Sequence, residues 1–391
     1  MTDSKLKIAF IGTGIMGAPI AGHIMDAGYP LTVFNRTKEK AEGLIAKGAV
    51  WADSPAAAAK DADVVFTMVG FPTDVEEIYL AGEGLLAAAK DGAYLIDLTT
   101  SAPELARDIA GAAEVCGKHA FDCPVTGGEG GAIAGTLTAI VGATERDIEP
   151  VREVLETFAS KICCFGGAGK GQAAKLSNQV ALAGAMVGMA DALSFAQQND
   201  LDVEQVREMI CSGTGNSGAM ATLAPKAIDG DYKPGFLVEH FLKDLGLALT
   251  VAEEKELALP GADTAFTLYD MLDAIGGGRL GTQAITLLYQ EEADAVAAGL
   301  DWSLYTAAHE HDEECDCGCG HEHGHDHEGH ECACGHEHGD DHECCGGHDH
   351  GGDHECHCGG EGHHHSDDHE CCGGHGHGEG HECRCGGHHE E

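Results

Sequence analysis

The last 83 residues of this chain contain no Val, Leu, Ile, Phe, Tyr or Trp. A segment with nothing apolar to bury cannot offset the entropy of ordering its backbone, so a tail over residues 306–391 is expected to be disordered unless something other than hydrophobicity folds it. Within 309–391 only Ala333, Ser366 and Arg384 fall outside four classes: 23 His, 13 Cys, 24 acidic residues and 20 Gly. Positive charge is scarce too, with 22 Lys+Arg against 66 Asp+Glu and a formal charge of -44. Such a chain has no basic footprint, and neither nucleic acid nor a membrane surface is expected as a partner. Met1 to Leu6 run straight into a strand pattern, lacking the apolar region and cleavage site of a secretory signal, which points to a cytoplasmic protein. The most apolar stretch, near residues 180–193, carries Asp191 and lies between Asn178 and Gln197. By that reading it is too short and too polar at its flanks to span a bilayer.

What remains, residues 1–308, has an ordinary globular composition with 42 acidic and 21 basic residues, 3 His and 5 Cys. Five scattered cysteines read as reduced thiols. Short apolar runs at 7–11, 31–34, 64–69, 94–98, 120–125 and 136–142 read as strands, separated by helical patterns at 17–27, 37–47, 73–80 and 103–116. Alternation of this kind predicts an α/β fold, a doubly wound sheet whose strands are apolar on both faces. After a last strand at 161–165 the pattern turns helical, at 172–198, 203–211, 237–254, 262–275 and 284–298. The expected division is a dinucleotide-binding Rossmann domain over 1–165, an all-α domain over 166–305 and the tail over 306–391. A long interdomain helix serves as spine.

The first strand runs into Gly12-Thr13-Gly14-Ile15-Met16-Gly17, a G-x-G-x-x-G that opens a helix. The first glycine permits the tight turn, the second lets a pyrophosphate approach the backbone, and the third lets helix and strand touch. At the end of the second strand an NAD site wants an acid for the ribose 2'-hydroxyl, but Asn35-Arg36-Thr37 stands there. Arg36 suits a 2'-phosphate and Thr37 offers a hydroxyl, so NADP is expected, with NAD as the alternative. Asp122-Cys123-Pro124-Val125-Thr126-Gly127-Gly128 ends in a glycine turn whose N–H groups and Thr126 hydroxyl could hold a carboxylate. In Gly167-x-Gly169-x-Gly171-x-x-x-Lys175-x-x-Asn178-Gln179, a lysine and two amides share a helix face. Taken by themselves those three read more simply as a solvated face.

Together, in this order and spacing, these segments and Lys243-Asp244-Leu245 resemble the β-hydroxyacid dehydrogenase family, which includes 3-hydroxyisobutyrate dehydrogenase and tartronate semialdehyde reductase. The resemblance covers residues 6 to about 305. It implies interconversion of a small carboxylate-bearing aldehyde and its 3-hydroxy acid in a cleft between the two domains, and a homodimer or homotetramer. It implies Lys175 as the catalytic residue, Thr126, Gly127 and Gly128 as carboxylate ligands, and Asn178 and Gln179 as orienting groups. Lys243 would lie near the nicotinamide, and Met68, Val69 and Thr100 would contact the cofactor. An ammonium beside a carbonyl stabilises the charge that hydride transfer creates and delivers the proton. Lys175 also argues against relatives that reduce imines or have lost catalysis, both of which lack it. Cys123 stands where the family has alanine and reads as a packed small hydrophobe or a redox-sensitive thiol. Gly184 and Gly188 suggest close helix packing, within the subunit or across a dimer.

The tail repeats itself. Asp340 to His348 recurs 27 residues later as Asp367 to His375, and His354 to Gly360 as His381 to Gly387. Thiolate and imidazole are ligands for zinc, nickel and copper, and glycine lets a chain wrap an ion. Candidate ligands are Cys332, Cys334, His342, Cys344, Cys345, His354, Cys356, Cys358, His369, Cys371, Cys372, His381, Cys383 and Cys385. Spacings of C-x-C without C-x2-C predict adaptable sites, at most roughly nine if four-coordinate. No catalytic role for a metal is implied. The alternative reading is a metal storage or delivery protein that uses the dehydrogenase body as a carrier or redox sensor.

Overall fold

The computed structural model describes residues 5–290 and 292–304. Six strands form one parallel sheet: β1 (Ile8–Ile11), β2 (Leu31–Phe34), β3 (Val50–Trp51), β4 (Val64–Thr67), β5 (Tyr94–Asp97) and β6 (His119–Asp122), in the order β3-β2-β1-β4-β5-β6. This is the doubly wound Rossmann arrangement, with β1 at its centre. Successive side chains point to opposite faces. Ile8 and Phe10 therefore join one hydrophobic core, and Ala9 and Ile11 join the other. Because both faces are covered, β1 and β4 are buried along their whole length.

The run 120–125 is not one strand. Proline at 124 has no N–H for the ladder, so the chain leaves the sheet after β6. It then starts a smaller sheet of β7 (Val125–Thr126), β8 (Leu137–Val141) and β9 (Ala159–Cys164), in which β7 runs antiparallel and β9 parallel to β8. Strand β3 escaped the sequence reading, being two residues long with Val50 62% exposed. Pairing on β4 stops at Thr67, which leaves Met68 and Val69 in the loop beyond it. The segment 37–47 is a 3-10 turn followed by a short helix, not one helix.

The second layer is helical. Helix Lys170–Gln198 runs 29 residues and packs against helices Val238–Glu253 and Pro260–Ala274 and, near its start, against β8 and helix Pro103–Val115. By length and apolarity it is sufficient to cross a membrane, contrary to the expectation drawn from residues 180–193 alone. Here its first turns bury Gly171, Gln172 and Lys175, and its later turns bury Met186, Met189 and Leu193 in the helical core. The expected helix at 284–298 is instead a 3-10 stretch, Thr282–Tyr289, then helix Glu292–Ala297. Residues 282–287 are all buried, so they carry no amphipathic face. A Cβ added at Gly184 or Gly188 meets nothing within 4 Å, so these glycines serve no close contact within the described chain.

Candidate active site

The glycine turn at the end of β1 is set by packing at two positions and not at the third. Gly12 has φ +97°, and a Cβ there would stand 2.0 Å from the Met68 carbonyl oxygen; one at Gly17 would stand 1.9 Å from that of Gly12. Around Gly14 nothing lies within 4 Å. The protein's own packing does not require glycine at 14, so the open space before helix Gly17–Asp26 is room for a ligand. Thr13, 2% exposed, leaves its hydroxyl buried there without a hydrogen-bond partner. Free N–H groups at a helix start suit a pyrophosphate. These residues fit a dinucleotide.

Asn35 closes one side: its Oδ1 accepts from the Thr13 N–H at 3.0 Å, and its Nδ2 donates to the Thr37 carbonyl at 2.8 Å. Thr37 stands at the start of the 3-10 turn Lys38–Ala41 without capping it by its side chain. Arg36 is 78% exposed and pairs at 3.0 Å with Asp74, on helix Pro72–Leu80 beyond β4. Ile15 is an exposed apolar side chain in the same turn, and Met16 is half-buried. The Val69 N–H donates to Thr99 Oγ1, tying the Met68-Val69 loop to the loop after β5.

At the junction of the two layers, Lys175 is 8% exposed, so the helix face is buried rather than solvated. Burial pushes its ammonium down to about 8; the Lys243 charge adds to the shift and Asp244 opposes it. Lys243 donates to the Thr100 carbonyl at 2.6 Å and forms an ion pair with Asp244 Oδ1 at 3.0 Å, at an angle that is not a hydrogen bond. Gln179 donates to Asp244 Oδ2 at 2.6 Å and accepts from Asn178 at 2.8 Å. Asn178, Gln179, Asp244, Lys243 and Thr100 thus form one connected group, whose charges at Asp244 and Lys243 act on Lys175. Thr126 ends β7 half-buried, followed by Gly127 (φ +130°) and Gly128 (φ +63°), both exposed. Such angles favour glycine.

Residues 7–167 match the family described as the NAD binding domain of 6-phosphogluconate dehydrogenase, and residues 169–289 match the NAD-binding domain of NADP-dependent 3-hydroxyisobutyrate dehydrogenase. An uncharacterized oxidoreductase of Bacillus subtilis, YkwC, is 45% identical over 285 residues, which is 73% of this chain and 99% of that protein. The chain belongs to the β-hydroxyacid dehydrogenase family. This dehydrogenase is also similar to the solved Mycobacterium tuberculosis 3-hydroxyisobutyrate dehydrogenase with L-serine, at 33% identity and a TM-score of 0.67, covering 73% of this chain and 100% of that one. Psf3 in complex with NADP+ and 2-OPP is 30% identical with a TM-score of 0.68, over 72% and 100% of the two chains.

Several residues that assemble the dehydrogenase's site had no role assigned from the sequence. Gln172 is fully buried; its Nε2 donates to the Thr99 carbonyl at 2.7 Å and its Oε1 accepts from the Ser101 N–H at 2.9 Å. It brackets Thr100 three residues before Lys175. Asp122 accepts from the N–H groups of Gly169 and Gln172, at 2.8 and 2.7 Å, fixing the start of the long helix. Asp97 accepts from Thr67 Oγ1 and the Thr99 N–H; burial pushes its carboxyl up to about 6 despite these bonds. Asp122 opens the Asp122–Gly128 motif, but its bonds to the long helix were not legible there; an acid ending a strand is the local signal shared by Asp97 and Asp122. Cys123 is fully buried, and burial raises its thiol far above the ordinary range, which favours a packed hydrophobe over a redox thiol. Cys163 and Cys164 are half-buried, Cys164 packing against the core of the Rossmann layer. The metal-ligand candidates from Cys332 to Cys385 lie outside the described residues. Among the described residues, no three His, Cys, Asp or Glu form a metal-holding group.

Proposed function

We propose that this dehydrogenase interconverts a small 3-hydroxy acid and its semialdehyde, using NADP(H) ahead of NAD(H), with Lys175 moving the proton. The observation that carries this reading is a buried lysine held near pKa 8, where both protonation states are accessible around neutral pH. Bound nicotinamide supplies or accepts the hydride. In reduction the Lys175 ammonium donates to the carbonyl oxygen, stabilises its growing charge and gives up the proton. In oxidation the neutral amine takes the proton from the hydroxyl. Thr126 Oγ1 and the N–H groups of Gly127 and Gly128 receive the carboxylate, and Asn178 orients the substrate. Gln179 holds Asp244 in place, and Lys243 keeps the Thr100 loop against the nicotinamide. Gly12 to Gly17, Asn35, Met68 and Val69 line the cofactor groove, and Arg36 and Thr37 meet the 2'-phosphate. The relative solved with L-serine supports a small carboxylate substrate, and the one solved with NADP+ supports the cofactor class.

The repeated His/Cys segment adds binding of zinc, nickel or copper apart from catalysis, and Gly184 with Gly188 supports association of two or four copies. Purified full-length protein assayed with succinic, tartronate and methylmalonate semialdehydes and glyoxylate, each with NADPH and NADH, tests the reading. Failure to oxidise either cofactor with any of them would reject it. Deleting residues 309–391 should abolish metal binding and leave turnover unchanged.

A further inference from the structure

In the parallel order β2-β1-β4, Arg36 follows β2 and Asp74 follows β4, so their ion pair passes over the end of β1, where the glycine turn lies. The two partners differ. Arg36 is 78% exposed, whereas Asp74 is 16% exposed and is held by the Phe71 N–H, which donates to its Oδ2 at 3.1 Å. The carboxylate is therefore the fixed end and the guanidinium the movable one. We propose that Asp74 is a specificity-determining residue for the dinucleotide, occupying Arg36 in place of the 2'-phosphate and thereby limiting the preference for NADP(H).

The argument is electrostatic. An incoming 2'-phosphate must displace Asp74 from Arg36, and it then lies near a carboxylate that cannot retreat, since its second oxygen is tied to the backbone. A 2'-hydroxyl carries no charge and meets neither cost. A pair between two charges at the protein surface is weak enough to be exchanged. The groove thus accepts both dinucleotides, with a bias smaller than Arg36 alone would produce. This rests on the reading of Arg36 as the 2'-phosphate partner given above.

The test is fluorescence titration of the full chain with NADPH and NADH at fixed ionic strength, comparing wild type, Asp74→Asn, Arg36→Ala and the double variant. Asparagine keeps an oxygen for the Phe71 N–H, so the fold is retained, which circular dichroism checks. Asp74→Asn should lower the NADPH Kd about tenfold and leave the NADH Kd within about twofold, the scale of removing one nearby like charge. Arg36→Ala should raise the NADPH Kd, and the gain from Asp74→Asn should shrink in its background. If Arg36→Ala weakens NADPH but Asp74→Asn does not strengthen it, the role of Asp74 is overturned while the NADP reading stands. If Arg36→Ala leaves NADPH binding unchanged, both fall.

Discussion

In the dinucleotide groove the geometry is carried by glycines and backbone carbonyls, whereas around Lys175 it is carried by buried charges and amides. A Cβ at Gly12 or Gly17 would stand within 2.0 Å of a backbone carbonyl oxygen, and the Arg36 guanidinium is largely in solvent. At the junction, Lys175, Gln179 and Asp244 are each no more than 8% exposed. Charge in the groove is screened and exchangeable, so substitution there should tune cofactor choice. Charge at the junction is poorly screened, so substitution there should alter the reaction itself.

The largest effect expected is that of Lys175→Ala. It should lower kcat about 10²- to 10⁴-fold, the range of a general acid or base, while leaving NADPH affinity nearly unchanged. Equal losses in both would erase the contrast between groove and junction. The pH profiles sharpen it: reduction needs the ammonium and should decline as pH rises through about 8, while oxidation needs the amine and should increase over the same interval. Initial rates in both directions across pH decide this.

Next comes Gln172→Met, which fills the same space and leaves the Thr99 carbonyl and Ser101 N–H unpaired. About 2–6 kcal/mol of stability should be lost, at roughly 1–3 per orphaned buried group. Denaturant melts read that loss. If Gln172 positions Thr100 for its bond to Lys243, kcat should also drop with the substrate KM little changed. A loss of stability with kcat intact would reduce Gln172 to a packing residue.

Within the groove, Gly12→Ala and Gly14→Ala should separate. The first forces a left-handed φ on alanine and a clash with Met68, costing about 2–3 kcal/mol. The second has space around it, so the fold should be unaffected while cofactor binding weakens. Thermal melts paired with NADPH titrations test this. Equal destabilisation would mean that Gly14 answers to packing rather than to a ligand.

The smallest effect is Asp97→Asn. Ionisation of a carboxyl whose folded pKa lies at about 6 rather than 3.8 opposes folding. That penalty is absent below pH about 4, grows between about 4 and 6 and is full above. Asparagine keeps the oxygen that accepts from Thr67 and Thr99, so it should stabilise the protein at pH 7 by about 1 kcal/mol, within the roughly 3 kcal/mol that the displacement represents. Urea melts at pH 4 and pH 7 should show the gain only at the higher pH.

Gly12, Gly14 and Gly17 were legible in the sequence because a tight turn between strand and helix is a local requirement, met within six consecutive residues. The six-stranded sheet was nearly so, since burial on both faces demands continuous apolar runs. Val50 and Trp51 were not, because two residues, one exposed and one half-buried, leave no period to read, and Pro124 split a run that hydrophobicity alone joined. Lys175, Asn178 and Gln179 could be seen to share a face but not to be buried. Their surroundings come from far along the chain: Asp244 lies 65 residues beyond Gln179, and Lys243 lies 143 beyond the Thr100 carbonyl that it holds. What the sequence determined by itself was the fold class, the glycine turn after β1 and a lysine on a helix. What only the tertiary structure decided was the lysine's pKa, the clamp of Gln172 on Thr100 and the partner of Arg36, because charge and desolvation depend on distances that no local pattern encodes.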